Sequence, residues 1–128
     1  MQFKSSDMKN DLFGFDQSKI VELNKSQQSN DYKIDMSDLL ILRTIYDEYQ
    51  LRDKTKDGYI YLLPSFLVSE LPILHIGISQ MRKRLKKLQV FGLIEAQTMR
   101  QHGTPMFNFI RLGAKFYDVL QSDAGEHS

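Results

Sequence analysis

Residues 76–95 read IGISQMRKRLKKLQVFGLIE, a stretch that joins an apolar stripe, a dense row of cations and a helix stop. On a helix opening near Ser79, which could cap it, Met81, Leu85 and Leu88 fall at i, i+4 and i+7, the spacing of one buried face. Gln80, Lys83, Arg84 and Lys87 follow a row of their own beside that stripe, with Arg82 and Lys86 on its other flank. Every cation is therefore expected to reach solvent while the stripe packs. Gly92 is placed to end the helix, because glycine enters the left-handed conformation without a Cβ clash. The following LIEA begins an extended segment.

Five of the six residues from Arg82 to Lys87 are Lys or Arg, and the helix contains no acidic residue. A merely solvated face usually mixes signs, since opposite charges at i,i+4 help a helix and like charges cost a few tenths of a kcal/mol. An anionic partner explains the run more simply. The rest of the chain has a different balance: residues 1–78 hold nine Lys or Arg against twelve Asp or Glu, residues 79–111 seven against one, and residues 112–128 one against three. The net charge of +1 conceals this segregation, which points to a directed electrostatic face on a weakly acidic body.

A chain of 128 residues, 41% hydrophobic and 26% charged, suits one domain with a real core. No apolar run approaches the roughly 20 residues that span a bilayer, and MQFKSSDMKNDLF lacks the apolar centre of a secretory signal. Without cysteine there are no disulfides or thiolate zinc sites, which suits a reducing compartment, so a cytoplasmic protein is expected.

Nothing points to catalysis. His75, His102 and His127 are scattered, and there is no metal-ligand spacing, P-loop or nucleophile elbow. Asp47 and Glu48 are adjacent on a helix and cannot converge on one substrate, so no enzyme activity, metal or cofactor is expected. His75, in the apolar turn PILHIG, reads as a partly packed turn residue, and the Tyr and Phe residues read as packing groups.

Outward from the basic helix, residues 1–12 are polar and expected to be a mobile end, with the folded domain over 13–121. FGFDQSKIVELN offers Asp16 as an N-cap for one or two turns of helix, with Phe13 and Phe15 as anchors, and NKSQQSND reads as a loop. A longer helix is expected over 38–50, capped by Asp35 or Ser37, with Leu39, Leu40, Leu42, Ile45, Tyr46 and Tyr49 apolar. YIYLL reads as a small strand after the Asp57-Gly58 turn. A short helix over 65–71 follows, with Pro64 in its first turn and Pro72 as its stop.

Beyond Gly92, LIEAQTM and MFNFIRL read as two strands around RQHGTP, with Gly103 and Pro105 at the tip and a sheet packed on one side. LGAKFYDVLQ reads as a last helix whose Phe116, Tyr117 and Leu120 cover the core or meet a second subunit, and 122–128 reads as a disordered tail. The order helix, strand, helix, helix, strand, strand is that of an α+β winged helix-turn-helix, with a short extra helix before it and one after.

With those residues in hand, about residues 13–120 resemble winged helix-turn-helix DNA-binding domains. FGFDQSKIVEL ahead of DLLILRTIYDEY, then GYIYLLPSFLVSELPIL directly before the basic helix, are together similar to the N-terminal domains of replication-initiation, or replisome-organiser, proteins of phages and plasmids of Gram-positive bacteria. The resemblance implies double-stranded DNA as partner, origin binding, often as an oligomer, and a separate downstream region for the helicase-loading machinery. This chain stops at Ser128, so it is expected as an isolated domain or as a stand-alone DNA binder of a mobile element. A transcriptional regulator and a conjugative-transfer accessory protein share the same chemistry. A winged helix used only for protein contacts is the reading from a different class.

On the DNA reading, Ser79, Gln80, Lys83, Arg84 and Lys87 are the leading candidates for groove contacts, ahead of Arg82 and Lys86. Arg100, Gln101, His102 and Thr104 at the hairpin are candidates for a minor-groove wing, although a polar turn there needs no function. A homodimer through the N-terminal segment or the last helix is expected from their apolar residues.

Overall fold

The computed structural model describes residues 10–27, 29, 32–101 and 104–121. It opens with strands β1 (Asp11–Leu12) and β2 (Phe15–Asp16), paired antiparallel across Phe13-Gly14. Both turn residues have positive φ, 56° at Phe13 and 92° at Gly14, the geometry of a two-residue primed hairpin turn. Phe13 adopts it at a cost of about 1–2 kcal/mol for an L-residue, held by Arg43 Nη1 donating to its carbonyl at 3.2 Å. Residues 11 and 12, ahead of the boundary expected at residue 13, thus already pair as a strand. The two expected anchors also part company: Phe15 is fully buried and Phe13 partly exposed.

Helix α1 (Gln17–Asn24) is capped by Asp16 as the sequence requires, its carboxylate accepting from the Ser18 and Lys19 N–H groups. Helix α2 (Met36–Leu51) starts earlier than its apolar pattern suggests, because Asp35 caps it in a capping box. Asp35 Oδ1 accepts from the Asp38 N–H at 2.9 Å, and Asp38 Oδ2 from the Asp35 N–H at 3.0 Å. Leu39, Leu42 and Ile45 are buried as expected, and Ile41 joins them because α2 is covered over a broad arc.

Strand β3 (Ile60–Tyr61) leads into helix α3 (Pro64–Glu70), with Pro64 at the N-terminal position where its missing N–H is harmless. Pro72 opens a 3-10 turn through Leu74, and His75 follows at φ 54°, in the left-handed region, exposed rather than partly packed. Helix α4 (Ile78–Val90) starts at Gly77, which offers no side-chain cap, so Ser79 lies within the first turn and does not cap it. At its end the Gly92 N–H bonds to the Gln89 carbonyl at 2.9 Å and the Leu93 N–H to that of Leu88 at 3.0 Å. That pair of bonds, with Gly92 at φ 77°, is a Schellman stop, and Leu88 and Leu93 are both fully buried beside it.

Strands β4 (Ile94–Gln101) and β5 (Thr104–Leu112) form a long antiparallel hairpin with a register shift between Gln97 and Thr98. Pro105 lies in β5 opposite Arg100, one pair in from the tip. The sheet order is β3-β5-β4. On β5, Ile110 faces the core, whereas Phe109 meets Tyr61 edge-on at 5.5 Å on the other side.

The last helix is much shorter than its pattern: α5 is Phe116–Val119, and Leu120 is extended and bridged to Phe15. Phe116 is buried against Phe15 and Tyr46, at 5.7 and 5.0 Å between ring centres, so the two ends of the fold close on α2 together. Tyr117 points out. The architecture is α+β: five helices and two small antiparallel sheets around one core among the described residues. No helix among them is long and apolar enough to cross a membrane.

Candidate nucleic-acid interface

Met81, Leu85 and Leu88 are all fully buried, which fixes the rotation of α4 about its axis. Burying each such side chain contributes about 1.5–3 kcal/mol, far more than any exposed lysine can influence. At 100° per residue, Ser79, Lys83, Lys86 and Val90 then point away from the core, with Gln80, Arg84 and Lys87 along one border and Arg82 along the other.

The border row does not stay in water. Arg84 Nη1 donates to Asp35 Oδ1 at 3.0 Å and to Asp38 Oδ1 at 2.9 Å, and Lys87 Nζ meets Asp38 Oδ2 at 2.6 Å. Lys87 also donates to the Lys33 carbonyl at 3.0 Å. Asp38 is 0% exposed, so two cations of α4 share one buried carboxylate at the start of α2. The expectation that every basic residue of α4 reaches solvent is corrected here. The helix has no acidic residue of its own, but α2 supplies two.

The charges follow this geometry. Burial pushes the Asp38 carboxyl above its ordinary value, against the pull of Lys87, the Asp35 N–H and Arg84. For Asp35 burial also opposes ionisation, but the Asp38 N–H and Arg84 outweigh it and hold the carboxyl below its usual range. Two cations of α4 converging on one buried carboxylate at the start of α2 fix how α4 lies against α2.

The outward row differs. Ser79, Lys83 and Lys86 are exposed, as is Gln80 on the border, and neither lysine forms an ion pair among the described residues. Arg82 is half-buried, and among the described residues it has no ion pair and its buried Nε no hydrogen-bond partner. Lys86 therefore ranks above Arg84 and Lys87 as a group free to meet an anion, the reverse of the order expected from spacing. Arg111, counted in the basic segment, is paired with Glu95 at 2.7 Å and lies over Tyr59 at 4.6 Å.

Of the hairpin candidates, Arg100 is paired with Pro105 and Gln101 with Thr104 at the far end of the sheet, while His102 lies outside the described residues. Asp47 is paired with Arg43 at 3.0 Å and Glu48 with Arg52 at 2.7 Å. No group of three or more His, Cys, Asp or Glu residues able to hold a metal occurs among the described residues.

The inward pairing had a signal in the sequence. Asp38 stands at i−4 from Leu42 and i−7 from Ile45, on the buried stripe of α2, where a carboxylate requires a cation. No family model, curated protein or solved structure matches the chain.

Proposed function

We propose that the protein is a winged helix-turn-helix domain that binds double-stranded DNA, with α4 in the major groove and the β4–β5 hairpin as its wing. The observation that carries this reading is the outward side of α4, where exposed Gln80, Lys83 and Lys86 stand together without acidic partners among the described residues. The order α2, β3, α3, α4, β4, β5, with sheet order β3-β5-β4, supports the fold assignment.

Gln80 and Lys83 have the donors for base edges, adenine for the amide and guanine for the ammonium, and Lys86 lies where a phosphate would pass. Arg84 and Lys87 hold the helix in position from behind. The role is non-catalytic, in the cytoplasm. We assign it to replication initiation on a plasmid or phage, on the resemblance of FGFDQSKIVEL, DLLILRTIYDEY and GYIYLLPSFLVSELPIL; the same interface would serve a transcriptional regulator or a transfer-origin accessory protein. A homodimer on paired half-sites, and contacts with replication or transfer proteins, belong to the same proposal.

Binding to a duplex from the protein's own upstream region, titrated between about 50 and 200 mM salt, tests it. Affinity should fall steeply with salt and exceed that for a random duplex. Equal, salt-insensitive binding of both duplexes would transfer the basic helix to an acidic protein partner.

A further inference from the structure

The outward side of α4 continues into a groove that duplex binding does not account for. Its walls are Lys83, Lys86 and Val90 on α4 and, across from them, Gln27 and Tyr32 from the connection between α1 and α2, with Phe91 at the end of the helix. Tyr32 is 64% exposed and Val90 69% exposed, an aromatic ring and an isopropyl group held in solvent beside two lysines. The groove's other two cations, Arg84 and Lys87, are engaged by Asp35 and Asp38, so the charge open to a ligand is that of Lys83 and Lys86.

We propose that this groove binds an unpaired nucleotide, its base on the Tyr32 ring and Val90, and its phosphate, the one at the junction with the duplex, on Lys86. A duplex backbone offers phosphates but no free base face, and it would leave the Tyr32 and Val90 surfaces facing sugar and water. An unpaired nucleotide carries both a planar apolar face and an anion, which is the pairing of surfaces that the groove presents. Gln80 and Lys83 line the same groove as Tyr32, so a strand leaving a duplex docked on α4 would enter it from the α4 side. The inference rests on the duplex-binding reading for that continuity alone.

The test compares a blunt duplex with the same duplex carrying a single-stranded thymidine overhang, by fluorescence anisotropy, together with a free oligothymidylate of about ten nucleotides. The overhang should bind roughly 5-fold to 150-fold more tightly than the blunt end, the range of one base stacked on an aromatic side chain. Tyr32→Ala should abolish that advantage and leave blunt-duplex affinity unchanged, while Tyr32→Phe, which keeps the ring, should retain it. Lys86→Ala should weaken both ligands.

Equal affinity of the unaltered protein for blunt and overhung duplexes overturns the inference, as does a Tyr32→Ala loss equal for both. Displacement of the overhang by a polyglutamate peptide whose binding also needs the Tyr32 ring would assign the groove to an acidic protein segment and overturn it too. Loss of blunt-duplex binding alone, with oligothymidylate still held through Tyr32, would defeat the duplex reading and leave the groove assignment standing.

Discussion

Helix α4 carries two sets of cations with opposite fates. Arg84 and Lys87 turn inward to a carboxylate that is 0% exposed, whereas Lys83 and Lys86, a few residues away on the same helix, meet no acid among the described residues. The difference shows that charge density along a helix does not measure the charge offered to a partner. What counts is the acid on the neighbouring element, and α2 places Asp35 and Asp38 at its first turn on the side that α4 covers.

The sharpest way to break this contrast is to remove the shared acid. Asp38→Ala should destabilise the fold by about 3–5 kcal/mol in a denaturant titration, since it leaves Lys87 without its acid and Arg84 with Asp35 alone, and removes half of a capping box. A loss below 1 kcal/mol would show that the inward pair is ornamental. Asp38→Leu combined with Lys87→Met should recover part of that loss, because a packed apolar pair avoids the desolvation of those two charges while Arg84 keeps Asp35.

Lys87→Ala comes next, at roughly 1.5–3 kcal/mol, with Arg84 still on Asp38. Its salt slope for duplex binding should match that of the unaltered protein, because the charge removed was already neutralised. A slope reduced by a full unit would place Lys87 on a phosphate instead.

Lys83→Ala and Lys86→Ala should leave stability within about 0.5 kcal/mol. For whichever residue meets a phosphate, the salt slope should fall by about one unit, and a base contact by Lys83 should cost ~1–3 kcal/mol of affinity with altered sequence preference. Unchanged binding in both variants would remove the outward row from the interface.

The smallest effect is an acid limb. Asp16 and Asp35 have lowered pKa values, Asp16 chiefly through the Ser18 hydroxyl, and Asp35 through the Asp38 N–H and Arg84 against its burial. Their stabilisation is present above the unfolded carboxyl value of about 3.9 and is lost as pH falls through the lowered folded values. Asp38 has the opposite sign: its raised pKa makes the fold the tighter proton binder, so protonation there partly offsets the loss. Asp35→Asn should be less stable at neutral pH and show a shallower acid limb in denaturant titrations from pH 7 to about pH 3. An acid limb unchanged in this variant would remove Asp35 from the account.

Much of the fold was legible because local rules and burial agree. Asp16 before α1, Pro64 at the start of α3, the Met81, Leu85 and Leu88 stripe and the Gly92 stop all lie where caps, ring geometry and periodicity put them. The misses occur where one residue answers to a distant neighbour. Phe13 accepts a left-handed turn because Arg43, thirty positions on, holds its carbonyl. The last helix stops after one turn because Phe116 is drawn onto Phe15 and Leu120 is bridged to it. Gly113, just before it, admits no side chain against the Gly92 carbonyl.

For the candidate site the sequence alone determined that α4 is amphipathic, basic and terminated at Gly92, since spacing and glycine chemistry act within one helix. It also contained Asp38 on an otherwise apolar stripe, which demands a cation without naming it. Only the tertiary structure decided that Arg84 and Lys87 meet that demand and that Lys83 and Lys86 remain outside. The physical reason is that hydrophobic burial sets the rotation of α4, and desolvation then forces whichever cations fall beside α2 to pair with its acids.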